Sequence, residues 1–242
     1  GRFAGNQISN NNSIGIGNQT IYQTDSGAQH YICFGNNVAG NNATSVYLIA
    51  FGSYACSSGK QGYIIAIGYG ASSTNATTYT TAIGYQAGYT GQTSGSIAIG
   101  YTAGFKDAGS SAIAIGYQAG YTRQYSGSIA IGYNAGQTNA GTSSISIGSN
   151  ITNTYQNSIV LSAISNNLTS QVANAFYVSP IRSTVNSTYK EIVYDTTKSE
   201  ILYNTSKTFI INHPINKSKY LVHACLEGPE VGVYYHGKNE IL

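Results

Sequence analysis

Ser96-Ile97-Ala98-Ile99-Gly100-Tyr101-Thr102-Ala103-Gly104 is rewritten as Ile113-Ala114-Ile115-Gly116-Tyr117-Gln118-Ala119-Gly120 and as Ile129-Ala130-Ile131-Gly132-Tyr133-Asn134-Ala135-Gly136. The glycines that close the phrase are Gly68, Gly84, Gly100, Gly116, Gly132 and Gly148, each 16 residues after the last. Looser copies close at Gly17, Gly35 and Gly52, with spacings of 18, 17 and 16 residues leading up to Gly68. A fixed period of this length decides the architecture before any local propensity does.

Within the unit, Ile97 and Ile99 alternate with Ala98, the period-2 pattern of a strand with one buried face. Gly100 ends that strand, and Ala103-Gly104 marks a second turn. The remaining Gly, Ser, Thr and Asn supply a short return strand and another bend. Two short strands and two turns make one coil of a β-solenoid, which buries its isoleucines only by stacking on its neighbours. The predicted fold is therefore all-β: a roll of 16-residue coils, about 43 Å long for nine copies at ~4.8 Å per strand. Equivalent residues should stack, placing Tyr69, Tyr85, Tyr101, Tyr117 and Tyr133 in a ladder, with Tyr89, Phe105 and Tyr121 as a shorter aromatic column. No window keeps a helical i, i+3, i+4 stripe, and glycine is too frequent for helices.

The residue two before each closing glycine is always small: Gly15, Cys33, Ala50, Ala66, Ala82, Ala98, Ala114, Ala130 and Ser146. It lies opposite the Ile face, which the pattern assigns to the interior. One reading is a cramped corner inside a single chain. The reading preferred at this point is an intermolecular seam formed by Ala66, Ala82, Ala98, Ala114 and Ala130 along a symmetric bundle. On it, Ala98→Leu would clash between copies and Ile99→Ala would open a cavity within each chain.

The SIAIGYxAG phrase resembles the head repeats of trimeric autotransporter adhesins, left-handed β-rolls wound as three parallel chains; similar repeats occur in fibre and spike proteins of phages and large DNA viruses. The resemblance covers residues 13 to 162. It implies a homotrimer. The unit here is longer than the autotransporter unit, so longer turns are expected.

Only 8% of the 242 residues are charged, and the net charge of +3 is too dispersed to form the basic face that nucleic-acid binding needs. With 41% hydrophobic residues and 22 tyrosines the chain is not of disordered composition. No apolar run reaches the length of a membrane span and no signal peptide is present, so membrane insertion is not expected. The absence of methionine suggests a piece of something longer. Nine Asn-X-Ser/Thr sequons occur, among them Asn18, Asn42, Asn75 and Asn150, in a chain whose composition alone would supply several.

Residues 1–12 read as a lead-in and 13–165 as the roll, with an insert from Thr20 to Tyr31 and a loop around Asn41 to Thr44. Cys33 and Cys56 occupy different positions in their coils; with Cys225 the count is odd, so three reduced thiols are expected. Between Gly68 and Gly148 only Lys106, Asp107 and Arg123 carry charge. Thr does not recur in register on one face, which disfavours an ice-binding solenoid.

Ser158-Ile159-Val160-Leu161-Ser162 offers a last, glycine-free coil, after which composition changes: 13 of the 19 charged residues lie beyond position 180. Residues 166–206 read as a neck, with a strand from Ala175 stopped by Pro180 and a hairpin from Ile192 to Tyr203. Residues 207–242, containing Lys207 to Pro214 and Tyr220 to Tyr235, are similar to a module near the C-terminus of giant-virus and phage fibre proteins. This second resemblance favours a virus over a bacterium as the source.

His213, His223, Cys225, Glu227 and Glu230 are the only cluster of reactive residue types. His223 and Cys225 lack an orienting third group, and no second Cys or His element has metal-ligand spacing. Glycine-rich phrases followed by no helix are turns, not phosphate cradles. No catalytic residue, cofactor or metal is expected. A depolymerase would need paired carboxylates, yet residues 13 to 162 hold only Asp25 and Asp107. The resemblances imply a trimeric fibre or spike segment on a virion surface, touching other virion proteins and a host glycan or receptor. The alternative is a bacterial surface adhesin.

Overall fold

The computed structural model describes residues 2, 12–21, 30–39, 41–164, 167–182, 191–204, 208–213, 215–216 and 218–224. The chain divides into two compact units, Gly1–Ile181 and Arg182–Leu242. The first is a β-solenoid, and no helix occurs among the described residues.

Eleven strands form one parallel sheet in chain order: Ile14–Ile16, Tyr31–Phe34, Asn41–Phe51, Ser58–Ile67, Thr80–Ile83, Ile97–Ile99, Ile113–Ile115, Ile129–Ile131, Ile145–Gly148, Ile159–Ser162 and Phe176–Ser179. Each coil adds one strand, in strict register where the phrase is regular: Ile97 pairs with Ile113, Ala98 with Ala114 and Ile99 with Ile115, and the same three positions continue into Ile129, Ala130 and Ile131. Asn41 to Thr44 is not a loop but part of the longest strand, paired with Ser58 to Gln61. The roll also runs past residue 165, because Phe176–Ser179 pairs in parallel with Ile159–Ser162. Pro180 follows that strand, a place where its missing N–H interrupts no ladder.

A second column runs along another side of the coil, mostly as single bridges: Ser58 to Thr74, Thr74 to Thr90, Thr90 to Lys106, and Thr122 to Thr138. Lys106–Ala108 and Thr122–Gln124 form its one two-stranded stretch. This corrects the expectation about threonine: Thr74, Thr90, Thr122 and Thr138 do share a register, broken by Lys106. They lie six residues after each glycine, outside the repeated phrase, and the phrase alone does not reveal their alignment.

The larger correction concerns which face is inside. Ala66, Ala82, Ala98, Ala114 and Ala130 are each 0% exposed within their own chain. The isoleucines point the other way, with Ile14 at 54%, Ile16 at 58% and Ile65 and Ile67 at 37% exposed. The expected alanine seam is thus the interior wall of the coil. The cause is the narrowness of that interior. A Cβ built on Gly104 would lie 3.1 Å from the Cβ of Ala98 across the coil, a gap that leaves no room for a larger side chain on either wall. Ala103, Ala119 and Ala135 complete the facing wall, all fully buried.

The second to fifth coils taper into this regime. Four residues before the closing glycine stand Tyr31, Leu48, Ile64 and Thr80, then Ser96, Ala112, Ser128 and Ser144, all buried. Large apolar side chains therefore fill the irregular end, and small ones the regular part.

The interior also carries a longer period. Gln92 and Gln124 are fully buried, whereas the equivalent positions in the alternate coils are Ala108 and Ala140. The Gln92 amide donates to the carbonyls of Thr81 at 3.0 Å and Ser96 at 3.4 Å. Gln124 donates to Ile113 at 2.7 Å and Ser128 at 3.1 Å. Asn153 repeats the arrangement on Ile145 and Ser158. One amide per two coils cross-braces the roll, and the alanine coil between leaves space for it.

The second unit contains two antiparallel hairpins, Glu191–Asp195 with Glu200–Asn204 and Thr208–Asn212 with Tyr220–Ala224. The first matches the expected Ile192 to Tyr203 hairpin. Its turn is held by the Asp195 carboxylate, which accepts from the Thr197 hydroxyl at 2.6 Å and the Thr197 amide at 2.8 Å. These bonds lower the Asp195 pKa below the usual carboxylate value.

Two stability outcomes follow. Ala98→Leu should overpack the chain's own interior and cost about 1–3 kcal/mol, whereas Ile99→Ala on the outer face should cost the isolated chain far less; denaturant midpoints of the two variants give the order. Gln124→Ala removes two hydrogen bonds, a loss of about 1–3 kcal/mol, and urea unfolding of that variant should show it.

Candidate functional site

What the roll presents outward is apolar and aromatic. Two columns of isoleucine run along the outer face of the sheet, among them Ile97, Ile99, Ile113, Ile115, Ile129 and Ile131 in the regular coils, all half-buried. Ile14, Ile16, Ile32, Ile49, Ile147 and Ile159 continue the stripe towards both ends at 37–58% exposure. Parallel register carries this stripe from coil to coil, with Phe34 and Phe51 replacing isoleucine in one column and Thr81 interrupting the other. A continuous apolar surface of that kind marks an interaction face rather than ordinary surface scatter.

Beside the closing Gly100, Gly116 and Gly132 runs the expected tyrosine ladder. Ring centroids are 5.4 Å apart for Tyr69 and Tyr85, 5.2 Å for Tyr85 and Tyr101, and 5.1 Å for both Tyr101–Tyr117 and Tyr117–Tyr133. Tyr89, Phe105 and Tyr121 stack likewise at 5.2 and 5.0 Å. A third ladder, His30, Tyr47, Tyr63 and Tyr79, was not anticipated. Its members stand outside the repeated phrase, five residues before each closing glycine, with the three tyrosines 16 residues apart. Each stacked pair contributes roughly 0.5–1.5 kcal/mol. In these ladders the ring faces are covered by neighbouring rings, leaving edges and hydroxyls to solvent.

Charge hardly enters. Lys106, Asp107 and Arg123, the three charged residues of the regular coils, lie on one corner in two adjacent coils and are exposed. No group of three or more His, Cys, Asp or Glu side chains able to hold a metal occurs among the described residues. Among the described residues no helix is long and apolar enough to cross a membrane. The Nδ1 of His213 accepts from the amides of Ile215 and Asn216 at 3.2 and 3.0 Å, a turn-forming role. His223 pairs in register with Phe209, while Cys225, Glu227 and Glu230 lie outside the described residues, as do most of the Thr20 to Tyr31 insert and the stretch from 225 to 242.

Cys33 and Cys56 are both fully buried, and the Cys33 thiol is free. Burial, and secondarily the neighbouring Cys56, pushes the Cys33 thiol far above its ordinary pKa. Both side chains fill small-residue positions of the interior.

Comparison with protein-family models, with curated proteins and with solved structures finds no match.

Because the Cys33 thiolate is strongly disfavoured, the folded chain should resist iodoacetamide at Cys33 at pH 8, whereas the urea-unfolded chain should react fully. Peptide mass mapping after a timed pulse distinguishes the two, and rapid labelling of Cys33 in the native state would contradict the buried placement.

Proposed function

We propose that this chain is a structural and attachment protein: a homotrimeric fibre or spike segment on a virion, acting as a stiff stalk that holds a host-contacting element away from the particle. The observation that carries the reading is the long apolar stripe, mostly isoleucine, on the outside of a stacked roll. A lone solenoid exposing such a stripe leaves apolar area in water along its whole length. Assembly of parallel copies about one axis removes it, and closed symmetry limits the assembly to a small ring of chains. Three is the number that the autotransporter-type and fibre-type phrases imply. The seam in this proposal is made by Ile97, Ile99, Ile113, Ile115, Ile129 and Ile131, in place of the alanine column.

The surroundings suit a stalk. Low charge, with His213 in a turn and Cys33 and Cys56 in the core, suits a scaffold better than a catalyst. A surface repeated coil after coil serves length better than recognition, and recognition fits best where the repeat is interrupted. Three copies on one axis add weak contacts by avidity. Contacts with other virion proteins and with a host glycan or receptor belong to the same proposal. The second reading, a bacterial surface adhesin, rests on the same roll; the resemblance of residues 207–242 to viral fibre modules places it second.

Light scattering on the purified chain should give three times the chain mass at micromolar concentration. Ile99→Glu together with Ile115→Glu should yield a monomer with an unchanged β-type circular dichroism spectrum. A stable wild-type monomer contradicts the assembly. Antibody-gold labelling should decorate virus particles; label confined to a bacterial envelope would favour the second reading.

A further inference from the structure

The tyrosine ladders hide their ring faces, but one pair of tyrosines is spaced differently. Tyr125 and Tyr155 each stand three residues before a serine whose hydroxyl donates to their own carbonyl, Ser128 to Tyr125 at 2.7 Å and Ser158 to Tyr155 at 2.6 Å. They therefore occupy the same corner of the coil, two coils apart. In the coil between them the same corner is Gly141, whose carbonyl accepts from the Ser144 amide. A Cβ there would lie 2.5 Å from the backbone carbonyl of Tyr155, so glycine is required at this place and no side chain stands between the two tyrosines.

The result is an open cleft of about 360 Å³ lined by Tyr125, Gly141, Thr142, Thr154, Tyr155 and Gln156. Tyr125 is 50% and Tyr155 43% exposed. Two coils at ~4.8 Å each separate the levels of the tyrosines by about 9.6 Å. One coil, as in the ladders, lets rings stack directly and admits nothing. Two coils admit one puckered six-membered ring, which needs roughly 8–9 Å to contact apolar surfaces on both sides at van der Waals distance. The rim supplies hydroxyls from Thr142 and Thr154 and an amide from Gln156, all exposed. No charged side chain lines the cleft.

We infer that this cleft is a carbohydrate site that takes a neutral pyranose unit, its C–H faces against Tyr125 and Tyr155 and its hydroxyls on Thr142, Thr154 and Gln156. Apolar walls with a few convergent polar groups are the general form of a small-ligand site. The absence of a cationic partner sets it against sialic and uronic acids. The site rests on the attachment reading only for its biological use. A single such cleft is shallow and binds weakly; three copies on one particle would gain by avidity.

The test uses the full chain and saturation-transfer NMR with methyl glycosides of glucose, galactose, mannose and N-acetylglucosamine. At least one should bind with a dissociation constant on the order of millimolar, and Tyr125→Ala and Tyr155→Ala should each weaken it about tenfold or more. Tyr125→Trp should restore binding, and Tyr101→Ala in the ladder should leave it unchanged. Both tyrosines are about half exposed, so circular dichroism of the alanine variants should match the wild type. Binding by none of the four sugars, or binding that survives both alanine variants, overturns the site. Sugar binding by a chain that labels no particle surface and adheres to no cell keeps the site and defeats the attachment reading instead.

Discussion

The structure depends on how closely successive coils approach at the closing glycine. Gly68, Gly84, Gly100, Gly116, Gly132 and Gly148 all adopt φ between +125 and +133, a conformation that side chains rarely tolerate. A Cβ at Gly100 would run into the carbonyl of Gly116 in the next coil. The corner therefore turns sharply and stacks at strand spacing with glycine in each copy up to Gly148, after which Ser162 stands at that place. A corner this tight brings the coil's walls together, and the narrow interior beside it takes Ala, Ser and Gly in the regular coils, where isoleucine faces out. The outer apolar stripe is a consequence of the inner corner.

The periodicity made the solenoid, its coil length, its register and two of its aromatic ladders legible in the sequence, because stacking converts a linear repeat directly into columns. The sidedness was not legible in the same way. Alternation of Ile and Ala shows that a strand has two unlike faces, but not which one is enclosed. Hydrophobicity pointed to isoleucine, and volume decided for alanine. The small column at Ala98 and Ala114 was the correct signal, read as closeness to another chain when it was closeness to the opposite wall.

Other features sat outside the repeated phrase. Tyr89-Thr90-Gly91-Gln92-Thr93-Ser94-Gly95-Ser96 and Tyr121-Thr122-Arg123-Gln124-Tyr125-Ser126-Gly127-Ser128 agree at six of eight positions, while the coils between them carry Ala108-Gly109 and Ala140-Gly141. This 32-residue spacing was the available sign of the amide braces. It also places Gly141 beside Tyr125, though only the shortened coil that follows brings Tyr155 to the same corner. The proposed assembly and recognition would thus draw on different residues of the coil: the strand supplies the apolar stripe, and the far turn, where the repeat varies, supplies the cleft.

The central claim is that Ala faces in and Ile faces a neighbouring copy. In a background with Cys33, Cys56 and Cys225 replaced by alanine, single cysteines at Ile115 and at Ala114 separate the two faces. Mild oxidation followed by denaturing electrophoresis should cross-link copies through Ile115→Cys and leave Ala114→Cys monomeric and unreactive. Covalent dimers through Ala114→Cys, with none through Ile115→Cys, would contradict the account.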